Sequence, residues 1–355
     1  MQIGSEALQT LASTIFAAIG CDGDEAGTVA RFLVKANLSG HDSHGVVRIP
    51  RYIEYWRMGA VMPNRRAEAV WQNDVIALFD GNKGFGQTIG GQVMAAGIEM
   101  AARQGLAMVG LKNVGHLGRI GDWAEQAAAA GQASIHFVNT TGRGNRVAPY
   151  GGSDRRLSTN PIAIGMPMGG REPLIFDAAT SVLAEGKILV ARNKGVELPD
   201  GVLLDSAGQP TNDPNTLYAD PGGAILAMGG HKGSGLAVMA DLLAGVMAGG
   251  GCTRPGVDML ENGMLSILMD PTLFADMGFF AGETARFADW VQASPPIEEG
   301  GEVLLPGDVE RRTQLEREAD GIPLDDTTWQ QIFETARAVD VATGDIEAAL
   351  DGLPG

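Results

Sequence analysis

GLAMVGLKNVGHLGRIGDWAEQAAAAGQASIHFVN (residues 105–139) decides the fold class. GLAMVGLKN (105–113) is an apolar run of strand length, and a glycine-punctuated turn follows it. GDWAEQAAAAG (121–131) is alanine-rich and free of proline, which predicts a helix. ASIHFVN (133–139) then returns to strand character. Short apolar strands alternating with helices, with glycine at the joints, predict an α/β domain. Upstream, VIALFDG (75–81) reads as a strand and Gly90–Gln104 as a helix. Downstream, PLIFDAATS (173–181) is a strand entering a turn, Gly235–Gly245 a helix and MLSILMDP (264–271) a strand. Both chain ends read differently. Leu8, Leu11, Ile15 and Ile19 recur at helical spacing, as do the apolar residues of Val29–Leu38. Pro50 opens a helix that Gly59 closes, and the tail carries helices over Val309–Asp320 and Thr328–Val339. The expected layout is a mainly helical domain from residues 1–73 and 283–355 around an α/β domain of residues 74–282.

Composition narrows the function. The 355 residues include 51 glycines, 45% hydrophobic residues and 19% charged ones, with a net charge of −17. That much apolar material offsets chain entropy and excludes disorder. The acidic balance disfavours nucleic acid and anionic membranes as partners. The charge is uneven. Glu283–Gly355 holds 17 acidic and 5 basic residues, whereas Arg31–Arg66 holds seven basic and two acidic ones. A small anion can therefore be drawn to the second segment. Two cysteines, Cys21 and Cys252, form no disulfide framework and no zinc spacing. The first twenty residues lack the basic start of a signal peptide, and Asp241 interrupts the apolar stretch Leu236–Gly249. A cytoplasmic protein is expected.

Two glycine pairs, Gly84-Phe-Gly86 and Gly233-Ser-Gly235, suggest a dinucleotide loop, but neither completes G-x-G-x-x-G with a following acidic residue. GGHKGSGLAVMADLL (229–243) still places Lys232 among glycines at a helix start, where backbone N–H groups and the helix dipole favour an anion. A tight turn with a solvated lysine explains it equally. In GHDSHGVVRIPRY (40–52), His44, Arg48 and Tyr52 recur every four residues and share a face if the stretch is one helix. A proton donor beside a guanidinium fork suits a 2-oxo acid: arginine holds the carboxylate and histidine protonates the carbonyl oxygen. A capped helix start with Asp42 or Ser43 as cap is the plainer alternative. His116 lies on a turn between strand and helix, where α/β proteins place chemistry. No H-E-x-x-H or carboxylate triad accompanies His41 and His44, so no metal is expected. Ser158–Pro161 and Asp177, Thr180 and Ser181 place polar groups at strand ends, as ribose and phosphate partners or as turn residues.

GHDSHGVVRIPRY (40–52), VGHLGRIGDWAEQAAAAG (114–131), STNPIAIGMP (158–167), FDAATS (176–181) with Gly186-Lys187, GGHKGSGLAVMADLLAG (229–245) and LLPGDVE (304–310) run in order over most of the chain. As a set they resemble the type-2 malate/L-lactate dehydrogenase family, and KGVELPDGVLLDSAGQPTNDP (194–214) resembles its hydroxycarboxylate dehydrogenase B branch. The resemblance implies a non-Rossmann NAD(P) fold with a mixed sheet, a homodimer, NAD or NADP as cofactor, and hydride exchange with a 2-oxo or 2-hydroxy acid. It makes His116 or His44 the general acid/base, with His116 ahead, and Ser43, Arg48 and Tyr52 substrate-binding. Gly118, Asn160, Asp177, Thr180, Ser181, His231, Lys232, Gly307 and Asp308 would hold the cofactor. Two positions depart from the family pattern: Ala184-Glu185 before Gly186-Lys187, where a neutral or basic residue is usual, and Asp308, where glutamate is commoner. The competing expectations are a cyclic imine carboxylate reductase and a non-catalytic small-molecule binding protein.

Overall fold

The computed structural model describes residues 1–257, 259–342 and 344. Its centre is a seven-stranded sheet in the order Glu68–Gln72, Ile76–Asp80, Leu106–Val114, Asn262–Met269, Ala133–Thr140, Ile162–Met166, Leu174–Ala178. One neighbouring pair is parallel, Ile76–Asp80 with Leu106–Val114, and the rest of this sheet is antiparallel. A parallel pair needs a crossover, and the helix Gly86–Gln104 supplies it. Ile89, Val93 and Met94 of that helix pack on Ala107, Val109 and Leu111 of the strand, joined by Trp123 and Ala127 from the helix Gly121–Ala129.

A second core joins both ends of the chain. Leu8, Leu11, Ile15 and Phe16 from Ser5–Ala18 pack with Val29 and Leu33 from Gly23–Leu38, with Ile49 and Ile53 from Ile49–Arg57, and with Ile332 and Ala336 from Asp326–Arg337. Gln2–Ile3 pairs with Ile322–Pro323, closing the two ends on each other. A third core, around Val147, Ile188, Leu203, Leu217 and Ile225, lies under a small three-stranded sheet.

The strands and helices anticipated between residues 75 and 140 are present. Differences arise where the sequence pattern is weak. Glu68–Gln72 is exposed along its whole length, so it has no alternation to read. The helix expected from Gly235 begins at His231 and continues as a π-helical turn, Leu242–Met247. The helix Met277–Gln292 runs across position 283, where the helical tail was expected to begin.

Candidate active site

His44, Arg48 and Tyr52 do not lie on one continuous helix. Asp42–His44 and Val46–Arg48 are separate 3-10 turns, and the α-helix starts at Ile49. The break is Gly45, in extended backbone, where Asn37 caps the second turn by accepting the Val46 N–H at 2.8 Å. The three side chains converge nonetheless. Tyr52 is buried in the helical core and its hydroxyl meets His116 Nδ1 at 2.8 Å. Arg48 Nε donates to the Ser43 carbonyl at 2.6 Å, and its Nη1 stands 3.2 Å from Glu185 Oε2. Ser43 Oγ and His44 Nδ1 share a hydrogen bond of 2.9 Å.

The turn carrying His116 is held from three sides. Asn262 Oδ1, on the central strand, accepts the Leu117 N–H at 2.8 Å. The pairing of that strand with Leu106–Val114 slips between Asn262 and Met264, a bulge that re-aims the chain entering the turn. The helix Gly86–Gln104 begins directly against the turn. A Cβ on Gly86 would sit 2.1 Å from the His116 carbonyl oxygen, so only glycine permits this approach.

His44 and His116 lie nearly parallel, 5.5 Å between ring centroids and 11° between planes. Each is half-buried, one edge open to a cavity and the rest surrounded by protein. Burial, then the Arg48 charge, pushes His116 down to about 3. Burial, then His116 and Arg48, holds His44 well below the ordinary histidine range. Burial opposes the charge of Arg48, but Glu185 and the nearby tyrosines outweigh it and its pKa is raised. Both imidazoles are neutral beside a fixed cation. An anion placed on that cation offsets its effect on both rings.

Two cavities meet at His44. One, of about 80 Å³, is lined by His44, His116, Arg48, Arg51, Tyr55, Arg146 and Glu185. The other, of about 240 Å³, is lined by His41, Ser43, His44, Asp177, Ser181, Lys187 and Met228, and Thr159 and Ala184 belong to both. A larger cavity, about 690 Å³, lies between Gly23–Leu38 and Gly86–Gln104 and contains no histidine. Of these three cavities, the two smaller ones carry the histidines.

The residues expected to hold the cofactor divide. Asp177 and Ser181 line the second cavity, Asp177 also accepting the Gly121 N–H at 2.7 Å. Burial raises the pKa of Asp177. Thr180 and Asn160 turn inward. Thr180 Oγ1 donates to the Thr159 carbonyl, and Asn160 Nδ2 donates to the Ala237 carbonyl and to Asp241. His231 and Lys232 stand at a helix start, His231 edge-on to Tyr150 and Lys232 exposed, and neither lines the two cavities. The Asp308 carboxylate accepts the Leu305 N–H at 2.7 Å and a bond from Arg311, and Gly307 caps the same helix. Gly118 faces Gln87. Charged and aromatic lining residues that the sequence did not single out include Arg51, Tyr55, Arg146 and Lys187. Of these, Arg51 lies in GHDSHGVVRIPRY and Lys187 in the Gly186-Lys187 pair, while only a glycine-rich loop marks Arg146.

Comparison with known proteins assigns the chain. The family model for malate/L-lactate dehydrogenase matches residues 3–333, and the chain belongs to that family. It is 40% identical to hydroxycarboxylate dehydrogenase B of Escherichia coli (strain K12), over 97% of this chain and 96% of the relative. It is 36% identical to an L-lactate dehydrogenase of Cupriavidus necator, over 96% and 99%. A solved malate/lactate dehydrogenase candidate from E. coli superposes with a TM-score of 0.93 at 39% identity, covering 98% of each chain.

Proposed function

We propose that this protein is a nicotinamide-dependent dehydrogenase that interconverts 2-oxo and 2-hydroxy acids. The observation that carries the reading is the stacked pair His44 and His116, beside Arg48, where two cavities join. The second cavity suits a nicotinamide dinucleotide, NAD or NADP: Ser181 and Asp177 offer ribose partners and Lys187 an anion partner. A Cβ on Gly186 would come 2.5 Å from Ser43 Cβ and 2.6 Å from Arg48 Nη2, so glycine there lets the cavity wall close on the substrate arginine. When bound, the reduced nicotinamide supplies the hydride that the carbonyl carbon receives.

The chain's own residues do the rest. Arg48, fixed through Nε on Ser43, presents its guanidinium to the substrate carboxylate. His116 gives a proton to the carbonyl oxygen and takes it back in the oxidative direction. Tyr52 fixes the His116 ring through Nδ1, leaving Nε2 for the substrate. His44 stacks on His116 and closes the junction toward the cofactor side. The mostly antiparallel sheet and the missing G-x-G-x-x-G support a non-Rossmann mode of cofactor binding. Exposed apolar side chains on two helices support a homodimer: Val238, Met239, Val246 and Met247 on one, Phe279, Phe287 and Trp290 on the other. Both cysteines are unpaired, which supports a cytoplasmic setting.

The test is oxidation of NADH and of NADPH by purified protein with a panel of 2-oxo acids and cyclic imine carboxylates. Turnover of 2-oxo acids is expected. A clear preference for imines would replace the ketone reading, and tight cofactor binding without turnover of any substrate would remove the enzyme reading altogether.

A further inference from the structure

Gln87 sits in the GFGQ segment (84–87), whose two glycines do not complete a dinucleotide fingerprint. Gly86 instead brings the helix start against His116, and the next residue, buried Gln87, points Nε2 at Tyr52 Oη at 2.8 Å. Tyr52 Oη in turn meets His116 Nδ1 at 2.8 Å. The three side chains form a buried line ending on the proposed proton donor. Gln87 Oε1, at the far end, is buried and without a hydrogen-bond partner. An orphaned acceptor in such a place needs an explanation.

Counting hydrogens supplies one. Tyr52 Oη has a single proton. While Gln87 Nε2 donates to it, that proton goes to His116 Nδ1, which must be bare, and the neutral ring carries its hydrogen on Nε2. An imidazolium has hydrogens on both nitrogens. Nδ1 then donates to Tyr52 Oη, and the phenol proton must find another acceptor. A half-turn of the Gln87 amide presents Oε1, the atom left without a partner in the first arrangement. Gly118 leaves room for that turn: a Cβ there would stand 3.1 Å from Gln87 Nε2, and its φ of +76° favours glycine as well. Gln87 and Thr88 both line the cavity of about 690 Å³, and Thr88 Oγ1 is likewise buried without a hydrogen-bond partner.

We propose that Gln87 is a positioning residue for proton transfer: through Tyr52, its amide reverses with the charge on His116 and keeps Nδ1 bonded in both states. Nε2 is thereby the nitrogen that exchanges the proton with substrate. The proposal rests on the dehydrogenase reading above. It also spares the charged ring the loss of its Nδ1 bond, where burial and Arg48 already push its pKa down to about 3. The other groups facing this ring are His44, stacked on it, and Arg51, Arg146, Tyr55 and Glu185 across the cavity. The substitutions below leave all of them in place.

The experiment compares Gln87→Leu, Gln87→Glu and the unaltered protein. It measures kcat and KM for the 2-oxo acid from about pH 5 to about pH 9, and the ring 15N spectrum of His116. Gln87→Leu removes the acceptor that the imidazolium state needs. Its kcat is expected to fall about tenfold or more while KM holds within about twofold, with the alkaline limb of the kcat profile moved to lower pH. Gln87→Glu can only accept from Tyr52, so it is expected to move that limb to higher pH and to enrich the Nδ1–H form. A Gln87→Leu protein with unaltered kcat, pH limb and ring spectrum would overturn the proposal. So would a Gln87→Glu limb displaced to lower pH. Gln87→Glu is close in shape and keeps the test available if Gln87→Leu folds poorly. If the unaltered protein turns over no 2-oxo acid, the functional reading fails by itself. The 15N spectra still decide whether Gln87 sets the protonation of His116.

Discussion

His116 and His136 have the same side chain and the same lowered pKa, yet the fold gives them opposite surroundings. His136 is fully buried in the central sheet, with Nδ1 on Ser266 Oγ at 2.8 Å and Nε2 on Ser134 Oγ at 2.9 Å. Burial alone pushes it down to about 3. His116 reaches the same value by burial and the Arg48 charge, but only its Nδ1 is engaged, and the ring lines a cavity. A perturbed pKa therefore does not mark a site here. A ring nitrogen left open to a cavity beside a fixed cation does.

The sharpest way to break this contrast is His116→Asn. Loss of a general acid typically costs about 10²- to 10⁴-fold in rate, and kcat is expected to fall in that range while cofactor affinity, read by nicotinamide fluorescence, stays near that of the unaltered protein. Retained turnover would transfer the proton-donor role to His44. Arg48→Lys comes next. Lysine keeps the charge but loses the planar fork and the Nε bond to Ser43. One charge-assisted hydrogen bond is worth about 1.5–3 kcal/mol, so KM for the 2-oxo acid is expected to rise roughly ten- to a hundredfold. An unchanged KM would mean that the substrate carboxylate binds elsewhere.

The mirror-image test is His136→Asn. It leaves at least one of the two serine hydroxyls buried without its partner, at about 1–3 kcal/mol. The denaturant midpoint should drop while kcat and KM stay put, and a loss of turnover at full stability would erase the distinction between the two histidines. Acid titration examines both histidines together. Each is held neutral in the fold and has an ordinary pKa near 6.5 once unfolded. Between about pH 6.5 and pH 3 the unfolded chain binds more protons, so stability is fully present above that window and lost as pH falls through it. The slope of melting temperature against pH in that window should be shallower in His136→Asn. An identical slope would mean that His136 is already charged in the folded protein.

How much of this was readable beforehand depends on which residues share a local pattern. His44, Arg48 and Tyr52 were visible because they recur every four residues, although Gly45 breaks the helix that spacing suggests. Their convergence survives because Tyr52 reaches His116 from a different element. The strands within residues 105–139 were visible because they are short, largely buried apolar runs set apart by glycine. Glu68–Gln72, exposed throughout, had no period to betray it. Asn160, Thr180 and Asp308 carry polar groups of the kind a cofactor uses, and in the fold they meet Asp241, Thr159 and Leu305. Sequence reveals that a residue can make a hydrogen bond and not to whom. Gln87 shows the reverse: its glycine-rich surroundings point to a phosphate, and only the packing of Gly86 on His116 reveals what it touches.

The smallest expected effect belongs to Glu185, the carboxylate beside Arg48. Its carboxylate faces Arg48 at 3.2 Å and accepts a bond from the Tyr218 hydroxyl at 3.0 Å. Burial opposes its charge, but Arg48 and Arg146 outweigh that and hold its pKa below the usual carboxylate value. A substrate carboxylate must therefore share Arg48 with an anion already present. Glu185→Gln removes the competitor and keeps the shape. KM for a 2-oxo acid should fall a few-fold, about the value of one weak ion-pair contact. The same change deprives the histidine pair of a nearby negative charge, so the proton donor is harder to charge and the kcat limb should move to lower pH. Tighter substrate binding with slower turnover at neutral pH is a combination that simple loosening of the pocket does not produce. A rise in KM would instead mean that Glu185 holds Arg48 in its working position, and the contrast between an engaged and an open site would then extend to the arginine as well as the histidine.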